Sequence, residues 1–441
     1  MDDQESVTVG VLSLHNSKET KAILNAVEDL GHQPEWIRQE NTAIRIQDGT
    51  VSIEPDIDVI SNRLLLSNTQ QPCELLGLVN SFKHHCPILN KPETVLVAFH
   101  KFATATQLAA HDIPVPDAFL ALDTGRLNEE RPEFGDEAVY KTAIGTHGGG
   151  TWKVDEGERV NPKVGERYAF LQSLIDSKKE VNRDLRVYVV DDEILGAMRR
   201  FAPENDWRTN VALGGSVEGV DSLPDKPAKY ALEATDAIGL DYAGVDLVES
   251  DEGWFVLEVN PTAGFKGFFN ATGLSPAPYI AKMAIERGGG SVDSERVSEI
   301  AAELDDSRPS CMPRRRRQRT KEQRTVGYTE EVLVSGTSGT ERVVAKADTG
   351  ASRTSIDTKL AAEIGAGPIK DMTKVKSGSM KKGKARPVVD IVVGIAGEQH
   401  TVSASLEDRS HMQYSIILGR DILSDYQVNV NRRHDEEQEQ E

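Results

Sequence analysis

The chain has 441 residues, a formal net charge of −20 and 38% hydrophobic residues. That length exceeds what one hydrophobic core fills, so two or three domains are expected. The acidic balance disfavours nucleic acid or an anionic membrane as a partner of the whole surface, and it suits solubility in high salt.

Three cysteines (Cys73, Cys86, Cys311) lack any zinc spacing and are too few for a disulfide framework, which points to a reducing, cytoplasmic setting. The opening "MDDQESVTVG" has neither the basic nor the apolar region of a secretory leader. No apolar run reaches the ~18 residues needed to cross a bilayer.

In chain order, "SVTVGVLSL" is a β-branched apolar run that reads as a strand. "SKETKAILNAVEDLGH" then has helical spacing, with Ser17 as N-cap and Gly31 just past the end. "QPEWI" and "DIDVISNRL" read as further strands, giving a β-α-β layer over 1–94. Over 95–287 the pattern becomes α+β, with paired strands in "RDLRVYVVDDEILGAMRRF". The stretch 288–325, with glycines, a short helical piece, two prolines and Arg314–Arg317, reads as a linker. Short strands and turn signals ("VSGTSGTER", "VGIAGEQH") over 326–430 predict a small all-β domain. The tail 431–441, ending "HDEEQEQE", lacks apolar residues and is expected to be disordered.

Four pieces of the middle region carry chemistry. In "VYKTAIGTHGGGTWKV", Lys141 ends a strand before a loop with Gly145, Gly148, Gly149 and Gly150. Such glycines let backbone close over phosphates, and the lysine neutralises their charge. In "AGVDLV…FVLEVNPTAGF", Asp246 lies on one strand, while Glu258 and Asn260 alternate along the next and so share a face. Three hard oxygen donors so arranged suit magnesium. "MRRFAPENDWRTN" offers Arg199, Arg200, Arg208 and Asn210, whose guanidinium forks suit phosphate and carboxylate oxygens. Lys101 stands in "HKFATATQLAAHDIPVP", where a helix leads to a Pro-bounded strand.

The order Lys101, Lys141 with its Gly-rich loop, Asp184-x-Arg186, Arg208-x-Asn210, Asp246 and Glu258-x-Asn260 resembles the ATP-grasp superfamily, and within it the RimK-type α-L-glutamate ligases. The resemblance covers about 1–287 and implies an α/β pre-ATP-grasp domain over 1–94 and α+β ATP-grasp lobes over 95–287. It further implies that Lys101 and Lys141 contact ATP phosphates under Gly148 and Gly149, that Ser173 and Leu174 offer backbone groups to adenine, and that Asp184 binds the ribose. Arg208, in a catalytic role, and Asn210 would sit at the phosphates. Asp246, Glu258 and Asn260 would hold two Mg2+ ions, with Mn2+ as a substitute. The hinge of the family usually reads Gln-Glu, and here Ser173 follows Gln172. The implied reaction joins a carboxylate to the amine of glutamate through an acylphosphate. The acceptor would be a protein C-terminus, a glutamate tail or a small coenzyme.

Further on, "AKADTGASRTSI" places Asp348 in an Asp-Thr-Gly, and "YSIILGRDIL" follows some way downstream. Together they resemble the retropepsin-like domain associated with RimK proteins, sometimes called an ATP-dependent zinc protease. The resemblance covers about 326–430 and implies Asp348 as the catalytic carboxylate. Aspartic proteolysis needs two carboxylates sharing a proton, so two chains would have to meet and a homo-oligomer is expected. No zinc-ligand spacing accompanies it. The lysine-rich "KDMTKVKSGSMKKGKARP" lies where a flap would cover the cleft and should attract anions. A poly-glutamate chain suits both halves, one building it and the other binding or trimming it. The competing reading is a ligase for another amino acid or a small coenzyme, with a non-catalytic C-terminal binding module.

Overall fold

The computed structural model describes residues 6–66, 72–145, 150–175, 182–204, 206–209, 215–313, 324–369, 371–375 and 384–434. The chain divides into two compact units, 1–315 and 316–441. Among the described residues no helix is long and apolar enough to cross a membrane.

The first unit opens with β1 (Thr8–Leu12), β2 (Gln33–Ile37), a hairpin of β3 (Ala43–Gln47) and β4 (Thr50–Glu54), then β5 (Val59–Asn62) and β6 (Ile88–Leu89). A parallel four-stranded sheet in the order β2-β1-β5-β6 results. The first helix, Lys18–Asp29, is capped as expected: the Ser17 hydroxyl accepts from the Thr20 amide at 3.3 Å. Its buried face, Ile23, Leu24 and Val27, packs with Val9, Val11 and Trp36 in a core that also takes residues from the helix Ala277–Arg287. The β3–β4 hairpin was not foreseen, although Asp48-Gly49 between alternating residues is a strong hairpin signal.

Next come β7 (Ala118–Phe119), β8 (Glu137–Thr142), β9 (Thr151–Asp155), β10 (Lys163–Val164) and β11 (Arg167–Ser173), which make one antiparallel sheet. A second antiparallel sheet runs β14-β13-β12-β15-β16, from β12 (Arg183–Val190), β13 (Glu193–Phe201), β14 (Ser216–Gly219), β15 (Tyr242–Ser250) and β16 (Gly253–Asn260). The β12–β13 hairpin turns through Asp191 and Asp192, both at positive φ, which Asp tolerates better than most residues.

The stretch read as a linker is folded in part. Ser294–Ala301 is a helix with Val297 and Ala301 buried, and Cys311 and Met312 pack against the first unit's core. Asn25 on the first helix donates to the Asp305 and Ser307 carbonyls at 3.2 and 3.3 Å. Apolar residues spaced through a polar stretch explain why composition alone read as linker. Arg314–Arg317 lie outside the described residues.

The second unit is an eight-stranded all-β sheet with one extra pairing that folds it on itself. It comprises β17 (Arg324–Ser335), β18 (Thr340–Ala347), β19 (Ser355–Asp357), β20 (Asp371–Val375), β21 (Lys384–Ile395), β22 (Glu398–Glu407), β23 (Ile416–Leu418) and β24 (Tyr426–Arg433). The bounds 326–430 are too narrow, because β17 and β24 pair in parallel from Arg324 and on to Arg433. The described part of the tail therefore starts as strand, and 435–441 lie outside the described residues. His400 Nε2 lies 2.6 Å from the Tyr426 hydroxyl.

Asp348 follows β18 in an exposed loop, where its Oδ1 accepts from the amides of Gly350 and Ala351 at 2.9 and 3.3 Å. That loop is braced from the downstream motif. Asp421 accepts from the Thr354 amide and hydroxyl at 2.9 and 2.8 Å, and the Gly419 amide donates to the Thr354 hydroxyl at 3.1 Å. A Cβ on Gly419 would lie 2.4 Å from the Arg353 carbonyl carbon. Gly419→Ala is therefore expected to destabilise the second unit by about 1–3 kcal/mol. The calorimetric transition assigned to that unit should fall in temperature while the other holds.

Candidate functional site

One cavity of about 700 Å3 opens in the first unit, within the usual range for a small-molecule site. Lys101, Lys141, Asp246, Glu258 and Asn260 all line it, and so do Ser173, Leu174, Asp184 and Arg208. Gly148, Gly149 and Asn210 lie outside the described residues.

Strand register sets the oxygen donors. Asp246 on β15 pairs directly with Glu258 on β16, and Gly244 pairs with Asn260, so the three expected donors share one face. Asn260 Nδ2 donates to Asp246 Oδ2 at 3.3 Å. Arg186 on β12, the cross-strand partner of Asp246, grips its carboxylate bidentately at 2.6 Å and 2.6 Å. Arg200 Nη2 reaches Asp246 Oδ2 at 2.9 Å. Burial opposes the Asp246 charge, but the two guanidiniums outweigh it and hold the carboxyl at about 2. Glu258 is likewise held below its ordinary value, with burial outweighed by Lys101 and Lys141.

Two ionised carboxylates and an amide oxygen on one face fit Mg2+, whose remaining positions are usually filled by substrate phosphates and water. Among the described residues no group of three or more His, Cys, Asp or Glu side chains is placed to hold a metal ion by itself.

Lys101 opens the helix Lys101–Ala109, whose cap is the His100 imidazole accepting from the Ala103 amide at 3.1 Å. Its ammonium pairs with Glu258. Lys141, on β8, is buried, and that burial brings its ammonium down to about 8, with Lys101 adding to the effect and Glu258 and Asp246 opposing it. The neighbouring Thr142 amide donates to the Gly150 carbonyl at 2.8 Å. Gly150 sits at φ +88°, and a Cβ there would come within 2.5 Å of the Thr142 hydroxyl, so this turn requires glycine.

Asp184 reaches the cavity wall already partnered: Arg200, opposite it across β12–β13, grips it, with Arg200 Nε at 2.7 Å from Oδ1, and the Thr209 hydroxyl also donates to it. At the hinge, Ser173 and Leu174 line the cavity, and the Ser173 amide donates to the Asp117 carbonyl at 2.8 Å. Arg208 forks onto Asp206, at 2.7 Å for the shortest contact, and this bond draws the Asp206 carboxyl down to about 2.

Arg186 was visible in the Asp184-x-Arg186 spacing, but its partnership with Asp246 depends on strand order. Arg63, which follows β5 and also lines the cavity, carried no sequence signal.

Comparison with known proteins agrees with this geometry. Residues 98–283 match the RimK-like ATP-grasp domain. The tetrahydromethanopterin:α-L-glutamate ligase of Methanocaldococcus jannaschii is 33% identical over 211 residues, which is 46% of this chain and 72% of that protein. A probable α-L-glutamate ligase of Haemophilus influenzae is 30% identical over 231 residues, covering 51% of this chain and 74% of the relative. The fold resembles that of the ATP-grasp ligase PsnB, solved with a phosphomimetic variant of its minimal precursor, Mg and ADP. That likeness has a TM-score of 0.52 at 18% identity, covering 65% of this chain and all of that one. Fold, site and kinship together place the chain in the RimK-like ATP-grasp family, whose members are ligases that form carbon–nitrogen bonds.

Proposed function

We propose that the first unit is an ATP- and Mg2+-dependent ligase that adds L-glutamate to the carboxylate of an acidic peptide, a glutamate tail or a coenzyme. The observation that carries this reading is the convergence of Lys101, Lys141, Asp246, Glu258 and Asn260 on one cavity. Asp246, Glu258 and Asn260 would hold magnesium, which when bound neutralises phosphate charge as the acceptor carboxylate takes the γ-phosphoryl group. Lys141 faces the phosphates, and Lys101 leaves Glu258 to join it. Arg186 and Arg200 keep Asp246 ionised and fixed in direction. Ser173 and Leu174 offer the remaining backbone groups of the hinge to adenine. Catalysis is then positioning and charge stabilisation in a partly water-excluded cleft.

The second unit is read as a retropepsin-like module that binds or trims acidic tails. The support is the Asp348 loop and its bracing by Thr354, Gly419 and Asp421. This loop supplies one carboxylate, so proteolysis would need a second copy of the chain. The lysine-rich 376–383 lies outside the described residues. Asp348→Asn should stop shortening of oligoglutamate without touching ligation. If wild type leaves oligoglutamate intact, the module is a binder.

Mass spectrometry of an acidic peptide library before and after addition of ATP, Mg2+ and L-glutamate tests the ligase reading. Products heavier by one or more glutamate residues are expected, with matching ADP. An unchanged library and no ADP would refute it for the peptide and glutamate-tail acceptors.

Nucleotide binding should also take up protons. Lys141 is half-deprotonated near pH 8 in the free protein, and phosphate charge favours its protonated form. Calorimetry of ADP binding in buffers of different ionisation enthalpy should show up to about half a proton gained at that pH. Affinity should fall as pH rises above it.

A further inference from the structure

One end of the cavity is not used by the nucleotide machinery. It is built by the loop after β1 and the residue after β5, at the carboxyl ends of parallel strands, where open α/β sheets place their ligands. His15, Glu19 and Arg63 line it. Arg63 is only 4% exposed. Its Nη2 donates to the Thr262 and Ala263 carbonyls, each at 3.3 Å, and its guanidinium lies over Phe265, 5.2 Å from the ring centroid. Its Nε has no partner among the described residues. A largely buried guanidinium that lines a cavity is suited to an anion.

Glu19, in the first turn of the helix Lys18–Asp29, accepts from the Ser17 hydroxyl at 2.8 Å. Burial pushes its carboxyl up, but Arg63 and Ser17 outweigh that, and it stays ionised below its ordinary range. Lys18 is turned to Asp306, 3.0 Å away. His15 is exposed, with Nδ1 3.3 Å from the Ser13 hydroxyl. Partial desolvation of the ring, then Arg63, with Arg38 adding to it and Glu19 opposing, lower its basicity and favour the neutral ring.

We propose that this end holds the amine nucleophile as a zwitterionic amino acid: Arg63 faces its carboxylate, Glu19 its ammonium, and His15 accepts the ammonium proton. The inference rests on the ligase reading and names the second substrate's site. An ammonium has no lone pair, so it must lose one proton before it attacks. His15 takes that proton and passes it to solvent. The neutral amine then attacks the acyl carbon, the new C–N bond forms, and the C–O bond to phosphate breaks with its electron pair going to the phosphate. The second amine proton leaves with that phosphate as hydrogen phosphate. His15 is thus a catalytic residue, and Glu19 and Arg63 bind the nucleophile.

The test uses the full chain with ADP and Mg2+, and L-glutamate as the probe in calorimetry. Wild type should bind L-glutamate, while Glu19→Gln and Arg63→Lys each weaken it about 10-fold or more, the usual worth of a charge-assisted bond. His15→Gln should bind like wild type. In turnover with an oligoglutamate acceptor it should lose about 10²–10⁴-fold of ligation near neutrality and regain it as pH rises. Its ATP-dependent hydroxamate formation from hydroxylamine, a nucleophile already unprotonated near neutrality, should stay as in wild type. No L-glutamate binding by wild type, unchanged binding in both Glu19→Gln and Arg63→Lys, or equal loss of hydroxamate and amide in His15→Gln would each overturn the proposal. If wild type forms no hydroxamate from any acidic peptide, the ligase reading fails for peptide acceptors, and L-glutamate binding still decides this subsite.

Discussion

Replacing Lys141 with Met should remove ATP-dependent ligation while making the free protein more stable. Lys141 is fully enclosed, and burial is the main reason its ammonium falls to about 8. The charged form is thus disfavoured in the folded state below that pH, and an apolar side chain of similar length removes the penalty. The gain should be about 1–3 kcal/mol at neutral pH. The loss of function should be about 10²–10³-fold in kcat/KM for ATP, the usual cost of losing one donor to developing charge. ADP release and thermal unfolding of the same preparation measure both effects. A variant that loses stability and activity together would make Lys141 merely a structural residue.

The opposite pattern is expected at Asp246. Its carboxylate is the shared anion of Arg186 and Arg200, all three enclosed between β12, β13 and β15. Asp246→Asn keeps the shape but leaves two buried guanidiniums short of charge, at a cost of about 3–5 kcal/mol. Activity should vanish as well, because on the proposed reading a magnesium ligand goes with it. The sign with pH follows from the depressed carboxyl. Its contribution is complete above the unfolded value near ~3.9 and is lost as pH falls through about 2. Wild type and variant should therefore converge in stability in strong acid. Chemical denaturation across that range would show it, and a constant gap would place the destabilisation elsewhere.

Much of this arrangement was legible in the sequence because strand periodicity is local. Glu258-x-Asn260 had to share a face, and Asp246 on a neighbouring strand needed only the right register, which the Asp246–Glu258 pairing supplies. Ser17 as a cap and the β12–β13 hairpin were readable for the same reason. What escaped depends on long-range order. Nothing local showed that β13 would place Arg200 opposite Asp184. That the Ser173 amide donates to the carbonyl of Asp117, just before the neighbouring strand β7, likewise needed the tertiary fold. The segment around Cys311 and Met312 read as linker because its few apolar residues have no period, yet they cover the first unit's core. Arg63 stood alone in sequence and acquired meaning only beside Glu19 and His15.

The central claim is that the β15–β16 face and its two lysines receive a magnesium nucleotide. Calorimetric titration of ADP against wild type and Glu258→Gln, with and without Mg2+, tests it most directly. Wild type should bind ADP more tightly when Mg2+ is present, and Glu258→Gln should lose that enhancement. Absence of ADP binding in wild type, or an undiminished Mg2+ effect in the variant, would contradict the account.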